Sequence, residues 1–138
     1  MHAPVTVSNS DANLIELFSS IQGEGILIGK RQVFLRFSGC NLHCRYCDTD
    51  HESYDTCNIE SNPGSGSFQK VLNPVSLITI TDKLSSWKAK WPHLNHSLSI
   101  TGGEPLLYSS LLTQWLPKLR SILPIYLETN GTLTEELL

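Results

Sequence analysis

The chain has 138 residues, 40% of them hydrophobic, and its nine glycines bring the apolar share to roughly 47%, the proportion of a soluble globular domain. Intrinsic disorder and fibrous repeats are excluded, no stretch nears the ~18 apolar residues of a membrane span, and Met1 to Asn13 lacks the basic start and apolar run of an export signal, so a cytoplasmic protein is expected. Ten basic against thirteen acidic residues give a net charge of −3 without a basic cluster, which argues against nucleic acid as a direct partner.

The N-terminal dozen residues are expected to fray or to form an edge strand. Gln32 to Phe37 alternates polar with branched or aromatic residues and stops at Ser38-Gly39, the pattern of a strand. Ser53 to Pro74 is polar, glycine-rich and patternless, and is expected to be a mobile loop inserted in the domain. Ile80, Leu84, Trp87 and Trp91 then recur at helical spacing, with Ser76 or Thr79 available as a cap. Ser97 to Thr101, halted by Gly102-Gly103, reads as a second strand. Leu111, Leu112, Trp115, Leu116 and Leu119 mark a second helix, which Pro117 is expected to kink or restart. Ile125 to Thr129, before Asn130-Gly131, is a third strand, and Thr132 to Leu138 looks like the first turn of another helix, with Glu135 and Glu136 near its positive end. Strand, helix, strand, helix, strand implies an α/β domain over residues 1–138 with a parallel sheet, incomplete on its C-terminal side because the third strand has no completed cover.

Three of the four cysteines, Cys40, Cys44 and Cys47, are too close together to staple distant parts of a chain. In a chain without an export signal, such crowding points to metal ligands or redox thiols. Three thiolates on a four-iron cluster leave one iron open to a substrate or cofactor. A closed zinc or iron-sulfur site needs a fourth ligand, which Cys57 could supply, and spacing leaves both readings open. After the second strand, Thr101-Gly102-Gly103-Glu104-Pro105 lets a ligand approach the backbone closely, and Pro105 suits a first helical turn. A Gly-Gly pair alone is as readily an ordinary turn.

Taken together, the cysteine loop with Tyr46 just before its last cysteine and the Gly102-Gly103-Glu104-Pro105 motif resemble the radical S-adenosylmethionine superfamily. Phe18-Ser19-Ser20-Ile21-Gln22-Gly23-Glu24-Gly25, Arg36 and Asp48-Thr49 narrow that resemblance to the 7-carboxy-7-deazaguanine synthase (QueE) family, chiefly over Leu14 to Thr49 and Ser97 to Gly131. The resemblance implies the first part of a partial parallel (β/α) barrel, with ligands at the carboxyl ends of its strands. It implies a 4Fe-4S cluster on Cys40, Cys44 and Cys47, S-adenosylmethionine contacted by Tyr46, Cys47, Asp48, Gly102, Gly103 and Glu104, and Mg2+ on Thr49.

By the same resemblance the substrate is 6-carboxy-5,6,7,8-tetrahydropterin, held by Ile21, Gln22, Gly23, Arg36 and Thr101, with Arg36 gripping a carboxylate. Cluster-driven cleavage of the sulfonium cofactor then yields a radical that removes a substrate hydrogen, and the ring contracts with loss of ammonia. Glu128 to Gly131 could add polar contacts. Family members are longer and dimeric and draw electrons from an external reductant such as flavodoxin or ferredoxin, so this chain alone is expected to be impaired. A glycyl-radical activating protein would share the cysteine and Gly-Gly-Glu-Pro motifs but gives no reason for Gln22 to Gly25 or for Asp48-Thr49. His43 is assigned no role, and Trp87, Trp91 and Trp115 are expected to pack helices on the sheet.

Overall fold

The structure, a computed structural model, describes residues 10–39, 54–133 and 135. The cysteine loop lies outside the described residues, and with it Cys40, Cys44, Tyr46, Cys47, Asp48 and Thr49; most of the helical turn expected at the end of the chain does too.

Among the described residues, eight strands and two helices follow in chain order: β1 (Asp11–Ala12), β2 (Leu14–Ile21), β3 (Arg31–Phe37), β4 (Thr56–Glu60), β5 (Phe68–Leu72), β6 (Val75–Ser76), α1 (Leu77–Lys90), β7 (Ser97–Gly102), α2 (Ser109–Arg120) and β8 (Ile125–Leu127). A 3-10 turn, Pro105–Tyr108, leads into α2. Six strands form one sheet in the order β5-β4-β2-β3-β7-β8, while β1 and β6 pair separately. The parallel run expected from the alternation of strands and helices is present in β3, β7 and β8. The sheet is mixed, however: β2 lies antiparallel to β3, and β4 is parallel to β2 and antiparallel to β5.

Alternation along the strands gives the sheet two unlike faces. Val33, Leu35 and Phe37 of β3, with Leu98 and Ile100 of β7, join a core that includes Ile80, Leu84 and Trp87 of α1 and Leu111, Trp115 and Leu119 of α2. The intervening residues, Gln32, Phe34 and Arg36 opposite Ser97, Ser99 and Thr101, therefore project from the face away from the helices. Ser76 is the cap of α1, its hydroxyl accepting from Thr79 N.

Three expectations change. The supposed loop from Ser53 to Pro74 contains β4 and β5, and its tip is wrapped around Glu60, whose buried carboxylate accepts from the backbone N–H of Ser19, Gly64 and Gly66 at 2.8, 3.0 and 2.9 Å. α2 continues through Pro117 as one helix and does not restart there, since a proline forfeits one backbone bond and the buried stripe on either side holds the helix to the sheet. The third strand ends at Leu127 rather than Thr129, because after Glu128 N bonds Ile100 O the chain turns toward Glu104. Trp87 and Trp115 are buried, whereas Trp91 closes α1 half-exposed. No helix among the described residues is long and apolar enough to cross a membrane.

Candidate active site

At the carboxyl ends of β3 and β7 the glycine motif meets Phe37 to Gly39, the residues that lead into the cysteine loop. Gly102 pairs with Phe37 at φ +141°, and a Cβ there would lie 2.2 Å from the Phe37 carbonyl oxygen, so only glycine lets the strands come this close. Gly103 N donates to Phe37 O at 3.2 Å and Glu104 N to Gly39 O at 2.8 Å. The stem of the cysteine loop is thereby bonded to the glycine motif. Tyr108 fixes it from beneath, its hydroxyl 3.0 Å from Ser38 O. Burial pushes the Tyr108 phenol above its ordinary value and keeps it a donor.

Glu104, expected at the cofactor, has its carboxylate bonded within the chain. It is fully buried, and its carboxylate accepts from Leu106 N at 3.0 Å, Thr129 Oγ1 at 2.6 Å and Asn130 N at 2.7 Å. Those bonds cap the 3-10 turn and tie the Thr129-Asn130 turn to the motif. The Gly103 carbonyl, by contrast, receives no hydrogen bond among the described residues and is free to accept one. A backbone acceptor beside the cysteine loop fits an α-ammonium group, so Gly102 and Gly103 suit the S-adenosylmethionine reading through their backbone.

On the face away from the helices lies an open cleft of about 430 Å³. Ile21, Gln22, Gly23, Arg36 and Thr101, the five residues expected to hold substrate, all line it. They come from β2 and the turn after it, from β3 and from β7, and the sheet register brings them together: Arg36 stands beside Thr101. Arg36 Nε donates to Glu16 Oε1 at 3.0 Å, and its guanidinium lies 5.9 Å from the centroid of the Phe18 ring. Its two terminal nitrogens make no hydrogen bond among the described residues and remain available to an anion. Gln22 is 3% exposed, and its amide bonds Gln32 beneath the cleft and Glu24 and Glu128 of its lining, so it presents little beyond its backbone.

The cleft has further walls that motif reading did not reach. Phe18 and Phe34, stacked with centroids 5.2 Å apart, offer it an apolar surface. Their signal in sequence is the alternation of β2 and β3 taken as a pair. Ser20, Glu24 and Glu128 complete the lining. The turn after β2 passes over Tyr126, and a Cβ at Gly25, φ +74°, would lie 2.6 Å from its hydroxyl.

Cys57 sits on β4, 2% exposed, in the core cluster. Burial pushes its thiol up to about 11. Its place among the apolar side chains of the core weighs against the closed metal site.

The radical SAM superfamily model matches residues 35–138. A 7-carboxy-7-deazaguanine synthase from Geobacter sulfurreducens is 53% identical over 128 residues, 92% of this chain and 51% of the relative. One from Archaeoglobus fulgidus is 42% identical over 125 residues, 91% of this chain and 48% of the relative. Among solved structures, QueE from Escherichia coli aligns with a TM-score of 0.51 at 22% identity, over 89% of this chain and 53% of that one, a likeness of fold. The chain thus spans about half the length of the curated relatives it matches.

Proposed function

Because the chain belongs to the radical S-adenosylmethionine superfamily, we propose that the native protein is a 7-carboxy-7-deazaguanine synthase. It contracts the ring of 6-carboxy-5,6,7,8-tetrahydropterin with loss of ammonia, on the route to queuosine and related deazapurines. One observation carries this reading: five residues matched to substrate on sequence resemblance line a single cleft, beside the joined stems of the cysteine and glycine motifs. Relatives named for this activity share 53% and 42% of aligned residues with the chain.

In this proposal Cys40, Cys44 and Cys47 hold the cluster, and Tyr46, Cys47, Asp48, Gly102 and Gly103 hold S-adenosylmethionine, with Thr49 on Mg2+. Bound there, the cluster and cofactor supply one-electron reduction and hydrogen abstraction. The chain supplies the placement. The free edge of Arg36 takes the substrate carboxylate, the Phe18-Phe34 pair receives the flat face of the ring, and Thr101 stands between that ring and the glycine motif. Glu104 acts at one remove, holding Gly103 and the Thr129-Asn130 turn in register.

The test is anaerobic reconstitution of the native protein, followed by turnover with the carboxy-tetrahydropterin, S-adenosylmethionine, Mg2+ and reduced flavodoxin or ferredoxin. 7-Carboxy-7-deazaguanine is the expected product, and Arg36→Gln lowers kcat/KM by about 10- to 100-fold through loss of a charge-assisted pair. Absence of that product from the reconstituted native protein rejects the proposal.

A further inference from the structure

Beneath the cleft the sheet buries a chain of amides and hydroxyls where apolar residues would pack without needing partners. Gln32 is fully buried at the start of β3. Its Oε1 accepts from Gln22 Nε2 at 2.8 Å, and its own Nε2 donates to Ser97 Oγ at 2.7 Å. Ser97 Oγ in turn lies 2.9 Å from Nδ1 of the exposed His96. On the cleft side, Gln22 Nε2 reaches Glu128 Oε1 at 3.3 Å, and Gln22 Oε1 accepts from Glu24 N at 3.2 Å. The other oxygen of Glu128 accepts from Ser99 Oγ at 2.8 Å.

Only one polarity satisfies this chain. A backbone N–H must donate, so Glu24 requires an oxygen from Gln22. An ionised carboxylate must accept, so Glu128 requires the nitrogen of the same amide. Gln22 alone could turn its amide over, placing oxygen against the Glu128 carboxylate and nitrogen against the Glu24 N–H. The Ser97 hydroxyl can donate or accept, so Gln32 does not choose that polarity; it supplies the buried partner 2.8 Å from Gln22 Nε2 that holds the amide in place, and its loss leaves that nitrogen only the 3.3 Å bond to Glu128.

We propose that Gln32 is a positioning residue for the cleft: acting through Gln22, it fixes the Gln22 amide, and so holds the Glu24 turn and the Glu128 carboxylate where a ligand meets them. The inference rests on the reading of the cleft as the pterin site. Gln32 touches no ligand itself; its effect passes through one amide.

The experiment compares wild type, Gln32→Met, Ser97→Ala, Gln22→Ala and the Gln32→Met/Gln22→Ala double variant of the native protein, reconstituted with its cluster. Methionine keeps the volume of glutamine and removes both hydrogen-bonding ends. The first readout is equilibrium binding. The dissociation constant of the carboxy-tetrahydropterin rises about tenfold in Gln32→Met and about threefold in Ser97→Ala, while that of S-adenosylmethionine, bound at the other end of β7, stays within twofold. In the double variant the pterin constant is no worse than in Gln22→Ala, because the route through Gln22 is already cut. Equal weakening of both ligands, additive losses in the double variant, or unchanged pterin binding overturns the inference. The second readout needs no ligand: amide exchange at Glu24 accelerates at least fivefold in Gln32→Met while Leu35, in the same strand as Gln32, keeps its protection. Unchanged exchange at Glu24 also overturns it. Should Gln32→Met fail to fold, Ser97→Ala decides by the same two readouts. Should wild type bind no pterin, the functional reading falls, and the exchange result still decides the role of Gln32.

Discussion

At Gly102 the geometry is severe enough to predict the effect of one methyl group. The residue combines φ +141° with a Cβ position 2.2 Å from a backbone oxygen, and the neighbour that would have to move is the β3 strand itself. Gly102→Ala is therefore expected to destabilise the fold by about 3 to 5 kcal/mol, read as a lower urea midpoint with an unchanged slope. Gly23, with no atom within 4 Å of its Cβ position, is the control, and its alanine variant stays within about 1 kcal/mol. A Gly102→Ala midpoint equal to that of Gly23→Ala would contradict the close approach. Sequence marked Gly102-Gly103 as a place where side chains must be absent, but attributed this to a ligand. For Gly102 the reason is strand β3. The partners of Glu104 were hidden from sequence for another reason: Thr129 and Asn130 lie 25 and 26 residues away in the chain, and no local motif shows them.

Among the elements, those whose own side chains set their period were the legible ones. β3, β7, α1 and α2 each carry an apolar repeat long enough to recognise, and α1 also announces its start, with Ser76 accepting from Thr79 N and bonding Thr79 Oγ1 at 3.0 Å. Ser76→Ala is expected to lower stability by about 1 kcal/mol, with amide exchange rising first in the opening turn of α1. A loss under about 0.3 kcal/mol, or exchange rising evenly along α1, would show that the cap contributes little. β4 and β5 escaped detection because their order comes from outside. β4 has few apolar residues and is held by β2 on one side, while the Glu60 carboxylate gathers the glycine-rich tip that composition alone presents as disorder. β2 was hidden differently: Phe18 to Gly25 was read as a binding motif, and the strand that carries its first half went unremarked.

For the whole molecule, the consequence of a two-faced sheet is a division of labour that Cys57 tests. One face is packed by α1 and α2 and excludes water; the other carries the cleft and its polar supports. Cys57 belongs to the dry face, and burial lifts its thiol from 9.0 to about 11. The folded state thus keeps a proton that the unfolded chain has begun to release above pH 9. The contribution is fully present below pH 9 and is lost as pH rises through about 11, amounting to on the order of 2 kcal/mol across that window. The Tyr108 phenol, raised by burial, contributes at high pH as well, so the measurement is the difference in unfolding free energy between wild type and Cys57→Val at each pH, in which effects common to both cancel. That difference is constant up to pH 9 and then moves in favour of the valine variant. The same variant, reconstituted with iron and sulfide, keeps its cluster absorption, because Cys57 is packed into the apolar core rather than presented to a metal. A difference that stays flat to pH 11 would place Cys57 in contact with solvent, and loss of the cluster in Cys57→Val would restore the closed four-cysteine site and remove the open iron that the proposed chemistry needs.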